Sequence, residues 1–268
     1  MTDTFQTAPG LTDEQVQLFW KQGFIHGIPV LSATQASTAR KKFEALETQA
    51  AVDAGDRWTD PDYSPWNKHN HPIQMWCRAM STHPRVLAAV SAILGPDVLI
   101  RNADVFIKEP GVTRRIKWHV DTTAPLESAR LMVTAWLGLT ASTVENGCMD
   151  FIPGSHLEAL PPSAVDRNSL TFRGTALEAL DQQSGFANEM PIGHLSLHCF
   201  RTVHRSNGNT SGDRRFGYVT RFVSPQANPK AAECGMAYLA TGENKPANLT
   251  LQKTFPISWT HRGARRQP

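Results

Sequence analysis

His119 and Asp121, in the run Trp118-His119-Val120-Asp121, are two positions apart, and on an extended strand residues i and i+2 point to the same face. An imidazole and a carboxylate on one face can grip a single ion. His204, far along the chain in Thr202-Val203-His204-Arg205-Ser206, supplies a second imidazole if a neighbouring strand carries it alongside. Two histidines and one carboxylate occupy one face of an octahedron and leave the other open, the setting preferred by non-haem Fe(II) that must take a co-substrate and dioxygen. His-x-Asp alone carries little weight, because strand-face hydrogen bonding uses the same pattern. Arg215 adds to it: it lies beyond the turn residues Asn207 to Gly212, on what reads as the next strand. A buried guanidinium there clamps a carboxylate through two parallel hydrogen bonds, which is what the distal carboxylate of 2-oxoglutarate requires.

Other residues compete for these roles. His194 and His198 lack the context of a following turn and arginine, so core or surface positions are expected for them, and His156 ends the turn Pro153-Gly154-Ser155-His156. Arg214 alternates with Arg215 and should point the opposite way.

The elements that must position these groups divide into two halves. Thr12 with Gln15, and Ser32 with Gln35, form capping boxes that open helices over Leu11 to Gly23 and from Ser32 toward Ala51. A further helix is expected from about His83 to Leu94, before Gly95-Pro96, and Asp53 to Trp76 reads as a long loop rich in aromatic and polar residues. From Asp97 the period changes. Val98–Lys108, Arg115–Asp121, Leu131–Leu139, Cys148–Ile152, Leu195–Phe200 and Phe216–Val223 are β-rich runs separated by Gly, Pro and Asn turns, as in a sandwich or barrel. Leu157 to Met190 interrupts them and reads as an insertion over one mouth of the sheet.

Composition sets the outer bounds. The chain has 268 residues, 40% of them hydrophobic and 19% charged, enough for a sizeable core and too ordered in pattern for a disordered or coiled-coil protein. A formal net charge of +3 does not mark a nucleic-acid binder, and the tail arginines Arg262, Arg265 and Arg266 are too few to change that. No apolar run reaches the roughly 18 residues of a membrane span, Met1 to Gly10 lacks a signal-peptide layout, and the scattered Cys77, Cys148, Cys199 and Cys234 suit a reducing compartment, so a cytoplasmic protein without a membrane partner is expected.

Several stretches together resemble the phytanoyl-CoA dioxygenase family of Fe(II)/2-oxoglutarate oxygenases: Phe106-Ile107-Lys108-Glu109-Pro110-Gly111; Trp118-His119-Val120-Asp121; Thr134-Ala135-Trp136-Leu137; Glu145-Asn146-Gly147-Cys148-Met149 through Ile152-Pro153-Gly154-Ser155-His156; and Leu195-Ser196-Leu197-His198 through His204-Arg205-Ser206, Asn209 and Asp213-Arg214-Arg215. They fall in family order between Val98 and Val223, while the N-terminal helices match only loosely. The resemblance implies a mainly β fold with flanking helices, a double-stranded β-helix or cupin-like jelly roll. It implies iron ligands His119, Asp121 and His204, with Arg215 on the 2-oxoglutarate carboxylate, Ser206 and Lys108 also contacting the co-substrate, and Trp136 as a wall of that pocket. The expected organisation is one oxygenase domain over 1–268: helices and aromatic loop in 1–96, jelly-roll core in 97–225 with an insertion at 157–190, and a C-terminal extension in 226–268. It implies decarboxylation of 2-oxoglutarate with O2, coupled to hydroxylation of a substrate C–H bond. A carboxylate at Asp121, where related halogenases carry a small residue, points to hydroxylation.

The substrate is less legible. Trp58, Tyr63, Trp66 and Trp76, with Lys68 and Arg78, lie in or next to the long loop and could box a cation or hold an anion. Arg101 or Asn102 facing the barrel would suit a small anionic or zwitterionic molecule, and the wording from Ile100 to Lys108 resembles family members acting on aminoalkylphosphonates. Natural-product tailoring or acyl-group hydroxylation within the same family, and an inactive jelly-roll binding module, are the alternatives. A zinc hydrolase-like site lacks the nearby helical glutamate base that metalloprotease motifs carry.

Overall fold

The computed structural model describes residues 10–54, 72–113, 115–158, 165–166, 171–172, 179–181, 185–230 and 234–258. Trp58, Tyr63, Trp66, Lys68 and the tail arginines lie outside these residues.

Helix α1 (Asp13–Gln22) starts at Thr12, whose hydroxyl accepts from the Gln15 backbone N–H while the Gln15 side chain accepts from the Thr12 N–H. Such a box contributes about 1 kcal/mol to the helix start. Gly23 closes the helix at φ 88°, a left-handed conformation that a side chain would oppose. The chain then enters strand β1 (Phe24–Pro29) and, through the matching Ser32–Gln35 box, helix α2 (Ala33–Ala54). Helix α3 (Pro72–Ser81) occupies the end of what reads as a loop in the sequence. Proline is tolerated at a helix start, and Ile73, Cys77 and Met80, at helical spacing, are all buried. Helix α4 (Pro84–Leu94) completes the set.

The strands follow: β2 (Val98–Lys108), β3 (Ile116–His119), then helix α5 (Leu126–Ala129), β4 (Met132–Gly138), β5 (Met149–Phe151), β6 (Val165–Asp166), β7 (Thr171–Phe172), β8 (Phe186–Ala187), β9 (His194–Cys199), β10 (His204–Ser206), β11 (Arg215–Val223), β12 (Met236–Thr241), β13 (Thr250–Leu251) and β14 (Ile257–Ser258). They form two sheets. The major one runs β1-β9-β4-β11-β2-β12-β13, with β14 also on β2, and the minor one runs β6-β7-β3-β10-β5-β8. This is the expected sheet-rich jelly roll with flanking helices, in two respects differently composed. The described parts of 157–190 add strands to both edges of the minor sheet, and the residues after 225 contribute three strands to the major sheet. β2 is eleven residues long and would otherwise present its backbone as an open edge; β12 and β14 pair with it.

The two faces of β11 separate the core from the site. Phe216, Tyr218 and Phe222 are buried toward the helices, where Phe43 of α2 stacks near Phe216 and Tyr218. The Tyr218 hydroxyl donates to the Cys77 carbonyl and meets Ser81, which fastens α3 to the strand. Arg215, Gly217, Val219 and Arg221 face the other way. A smaller apolar cluster of Phe24, Trp136, Met149, Phe151, Met190 and Val219 joins the inner surfaces of the two sheets. None of the described helices is long and apolar enough to cross a membrane.

Candidate metal centre

The minor sheet carries both imidazoles. β3 and β10 are antiparallel, and His119 and His204 stand directly opposite one another, with ring centroids 4.0 Å apart. Each imidazole is turned by its own backbone: Nδ1 of His119 lies 2.8 Å from the Lys117 carbonyl, and Nδ1 of His204 lies 2.9 Å from the Thr202 carbonyl. A carbonyl can only accept, so Nδ1 must carry the proton in both rings. Nε2 is then left as a bare lone pair, which is the arrangement that orients a metal-binding histidine.

Asp121 joins them by a different route from the one the sequence suggests. β3 ends at His119, and Asp121 sits in the bend that follows, its N–H donating to the Phe200 carbonyl at 2.8 Å. The bend still returns its carboxylate to the imidazoles. One ligand atom each from His119, Asp121 and His204 lies within 4.8 Å of the others. Burial alone would raise the Asp121 carboxyl, but Arg221 and the neighbouring imidazoles outweigh it and hold the group well below the usual carboxylate range. Burial lowers His119 and His204, the latter strongly and with help from its histidine neighbours. One ionised carboxylate and two neutral imidazoles are the protonation states that a divalent ion needs.

Arg215 and Lys108 form the second half of the site. They are cross-strand partners on β11 and β2 and both point inward. Arg215 is 2% exposed; its Nη1 donates to the Gly147 carbonyl, its Nε has no hydrogen-bond partner, and its guanidinium lies 5.4 Å from the centroid of the Trp136 ring. Trp136 is itself packed over Gly217, where a Cβ would collide with the indole. Lys108 is buried rather than exposed at a hairpin, and its Nζ donates to the Asn207 carbonyl. Burial, with the adjacent Arg215, lowers its ammonium to about 7, and burial brings Arg215 down to about 10. No carboxylate bonds either cation among the described residues. Two buried like charges with only Asp150, itself bonded by Arg205, acting on Lys108 from a distance cost free energy, and an anionic ligand relieves that cost. Ser206, two residues past His204, is buried on β10.

Arg214 points outward as expected. It binds Glu47 of α2 at 2.8 Å and Glu109 at 2.6 Å, and Arg40 holds Asp213 at 2.8 Å, so the turn before β11 is fixed to α2. His156 is buried with Nε2 3.0 Å from the Trp20 carbonyl, a loop-shaping role. Trp76 and Arg78, weighed above as substrate contacts, are engaged elsewhere: Lys42 lies over the Trp76 ring and Arg78 over Tyr238. Arg101 falls at a bulge between β2 and β11 and lies 5.9 Å from the Phe200 ring centroid.

Asn102 and His198 belong to a row of polar residues that no spacing in the sequence announces. Asn102, Arg221, Thr134 and His198 are successive cross-strand partners on β2, β11, β4 and β9. Thr134 Oγ1 donates to Asp121 Oδ2 at 2.7 Å, His198 Nε2 is 3.3 Å from the same oxygen, and Arg221 is 3.9 Å from Oδ1. Arg221 also binds Asp104, which accepts from Asn102. The signal available for Arg221 was its even spacing from Arg215 on one strand, which places both on the same face.

The family model described as phytanoyl-CoA dioxygenase (PhyH) matches residues 19–217. "Dioxygenase lolE1" of Epichloe uncinata is 26% identical over 183 residues, covering 62% of this chain and 68% of that protein. A "probable alpha-ketoglutarate-dependent hypophosphite dioxygenase" of Stutzerimonas stutzeri is 26% identical over 149 residues, covering 54% and 52%. Among solved structures, the non-heme monooxygenase ThoJ in its apo form superposes with a TM-score of 0.70 at 22% identity, over 90% of this chain and 88% of that one.

Proposed function

The chain belongs to the phytanoyl-CoA dioxygenase family, and from that premise we propose that it is a non-haem Fe(II)/2-oxoglutarate-dependent dioxygenase that hydroxylates a C–H bond of a small anionic or zwitterionic molecule, an organophosphonate being favoured. The observation that carries the reading is the pairing, within one barrel, of a His119/Asp121/His204 cluster with two buried cations that bond no carboxylate among the described residues. His119, Asp121 and His204 would hold the metal, and Arg215 and Lys108, with Ser206 nearby and Trp136 as a wall, the co-substrate. Bound iron with 2-oxoglutarate and O2 supplies the oxidising power.

The chain's own residues bind and orient. The Lys117 and Thr202 carbonyls keep both Nδ1 atoms protonated, so each Nε2 is available without proton loss. Trp136 closes the side of the Arg215 pocket and excludes water from its guanidinium, which strengthens the carboxylate contact. Arg221 and Asp104, each less than a fifth exposed, offer both signs of charge next to Asp121; a zwitterion can meet both, its anion on Arg221 and its ammonium on Asp104. The similarity to a hypophosphite dioxygenase supports a small phosphorus oxyanion on that arginine.

The test is turnover by protein reconstituted with Fe(II) in the absence of oxygen, then given 2-oxoglutarate, air and a panel of aminoalkylphosphonates, amino acids and acyl thioesters. Succinate formed in step with a product heavier by one oxygen, and greatest with a phosphonate, is the expected result. Succinate coupled only to an acyl thioester would overturn the substrate; no metal-dependent succinate with any compound would overturn the activity.

A further inference from the structure

We propose that His198 and Thr134 are positioning residues that commit Asp121 to the metal through Oδ1 alone. The inference rests on the metal-centre reading above and goes beyond it, since neither residue belongs to the cluster of possible ligands. Asp121 lies outside any strand, in a bend whose backbone is tied to the Phe200 carbonyl. Regular strand geometry therefore does not set the direction of its carboxylate; its contacts must. Oδ2 receives the Thr134 hydroxyl at 2.7 Å and lies 3.3 Å from His198 Nε2, while Oδ1 has only the more distant Arg221. Thr134 and His198 are direct cross-strand partners on β4 and β9, so the two groups sit side by side on the interior of the major sheet.

His198 has no other evident task. It is 1% exposed, neither ring nitrogen makes a hydrogen bond of good geometry, and its ring is flanked by Phe151 at 5.2 Å and His204 at 4.7 Å. A buried imidazole is costly unless a polar group faces it, and the one facing Nε2, at 3.3 Å, is Asp121 Oδ2. With Oδ2 hydrogen-bonded to Thr134 and faced by His198, Oδ1 is the oxygen left for an ion shared with the two Nε2 atoms. A carboxylate free to rotate would chelate through both oxygens and take up a position that the co-substrate or dioxygen must fill.

Titration of metal-free protein with Co(II), followed by visible absorption and without turnover, tests this. Thr134→Val removes only the hydroxyl and keeps the shape; His198→Leu removes the ring nitrogens. Each is expected to weaken Co(II) binding about 10- to 100-fold and to alter the cobalt spectrum, with the metal-free melting temperature little changed for Thr134→Val. His198→Gln, which keeps an N–H donor, should recover most of the affinity and the original spectrum. Wild-type affinity and spectrum in both Thr134→Val and His198→Leu would overturn the proposal. Loss of binding in His198→Gln as complete as in His204→Ala would also overturn it, by making His198 a ligand. If the wild-type protein binds no Co(II), the metal centre itself is refuted, a different result from intact binding in the variants. Should His198→Leu fail to fold, Thr134→Val decides.

Discussion

Replacing Arg215 by Met should strengthen the empty protein and cripple its co-substrate binding. The two effects have opposite signs because they arise in different states. In the free protein the guanidinium is 2% exposed with Nε unpaired, and burial brings it down to about 10, well below the ordinary guanidinium range. At about 1.4 kcal/mol per pKa unit, the charge opposes folding by about 3 kcal/mol. Losing the hydrogen bond to the Gly147 carbonyl returns part of this, since a charged donor contributes about 1.5 to 3 kcal/mol. The expected change on Arg215→Met is therefore a gain of about 1 kcal/mol, read as a shift in the denaturant midpoint of the metal-free protein. Once 2-oxoglutarate is bound, the same deletion strands its carboxylate at a cost of about 3 to 5 kcal/mol. That is roughly two to three orders of magnitude in the dissociation constant, measured calorimetrically on Fe(II)-loaded protein without oxygen. Arg215→Lys should recover only part, lacking the two-pronged geometry. Arg214→Ala should show the reverse pattern: lower stability, because the turn loses Glu47 and Glu109, with 2-oxoglutarate affinity retained. If Arg215→Met lowers stability and leaves co-substrate affinity intact, the arginine is a structural post and the reasoning fails.

Lys108 makes co-substrate binding proton-linked: its ammonium is held near 7, a bound carboxylate raises it, and so binding at pH 8 should take up a proton, with affinity falling as pH rises above 7. Calorimetry in buffers of different ionisation enthalpy reads the uptake directly, and Lys108→Met should abolish it. The folded pKa lies below the ordinary 10.5, so the unfolded chain binds the extra proton between the two values, and the metal-free protein should gain stability from pH 7 toward 10 in the wild type but less in Lys108→Met. Asp121→Ala and His204→Ala should each lose Fe(II)-dependent succinate formation, and the thermal shift that added Co(II) gives the wild type should vanish in both. Gly217→Ala pushes a Cβ into the Trp136 indole, and should raise the Km for 2-oxoglutarate while leaving Co(II) affinity unchanged.

Much of this was legible because the relevant signals are local. Capping boxes at Thr12 and Ser32 need only their own side chains, and β2 was readable from end to end because the β-formers Val98, Ile100, Val105, Phe106 and Ile107 recur along it between Asp97 and the Glu109-Pro110-Gly111 turn. The direction of Arg215 against Arg214 follows from strand alternation alone. What escaped depends on pairing between distant segments. That Thr134 and His198 meet under Asp121 is a matter of register between β4 and β9, and no spacing within either run announces it. The later strands failed for a similar reason: β13 and β14 are two residues each and exist only because β12 and β2 offer them a partner. Helix α3 hid behind the aromatic character of the stretch before it, although Ile73, Cys77 and Met80 carry a helical period.

The continuous run of β11 from Arg215 to Arg221 has a consequence for how such a chain can diverge. One uninterrupted strand fixes both cations, about 20 Å apart at 3.3 Å per residue, so the strand serves as a ruler between the two ends of the barrel. Substitutions along the ruler change what stands at each mark. An inserted or deleted residue is different, because it turns every later side chain over to the opposite surface. With the pairing held at Arg215, a single-codon deletion between the two arginines would send Arg221 into the helix-facing core and bring Phe222 into the cavity in its place. Libraries that seek new substrates for this scaffold should therefore vary length in the loops and only identity in β11.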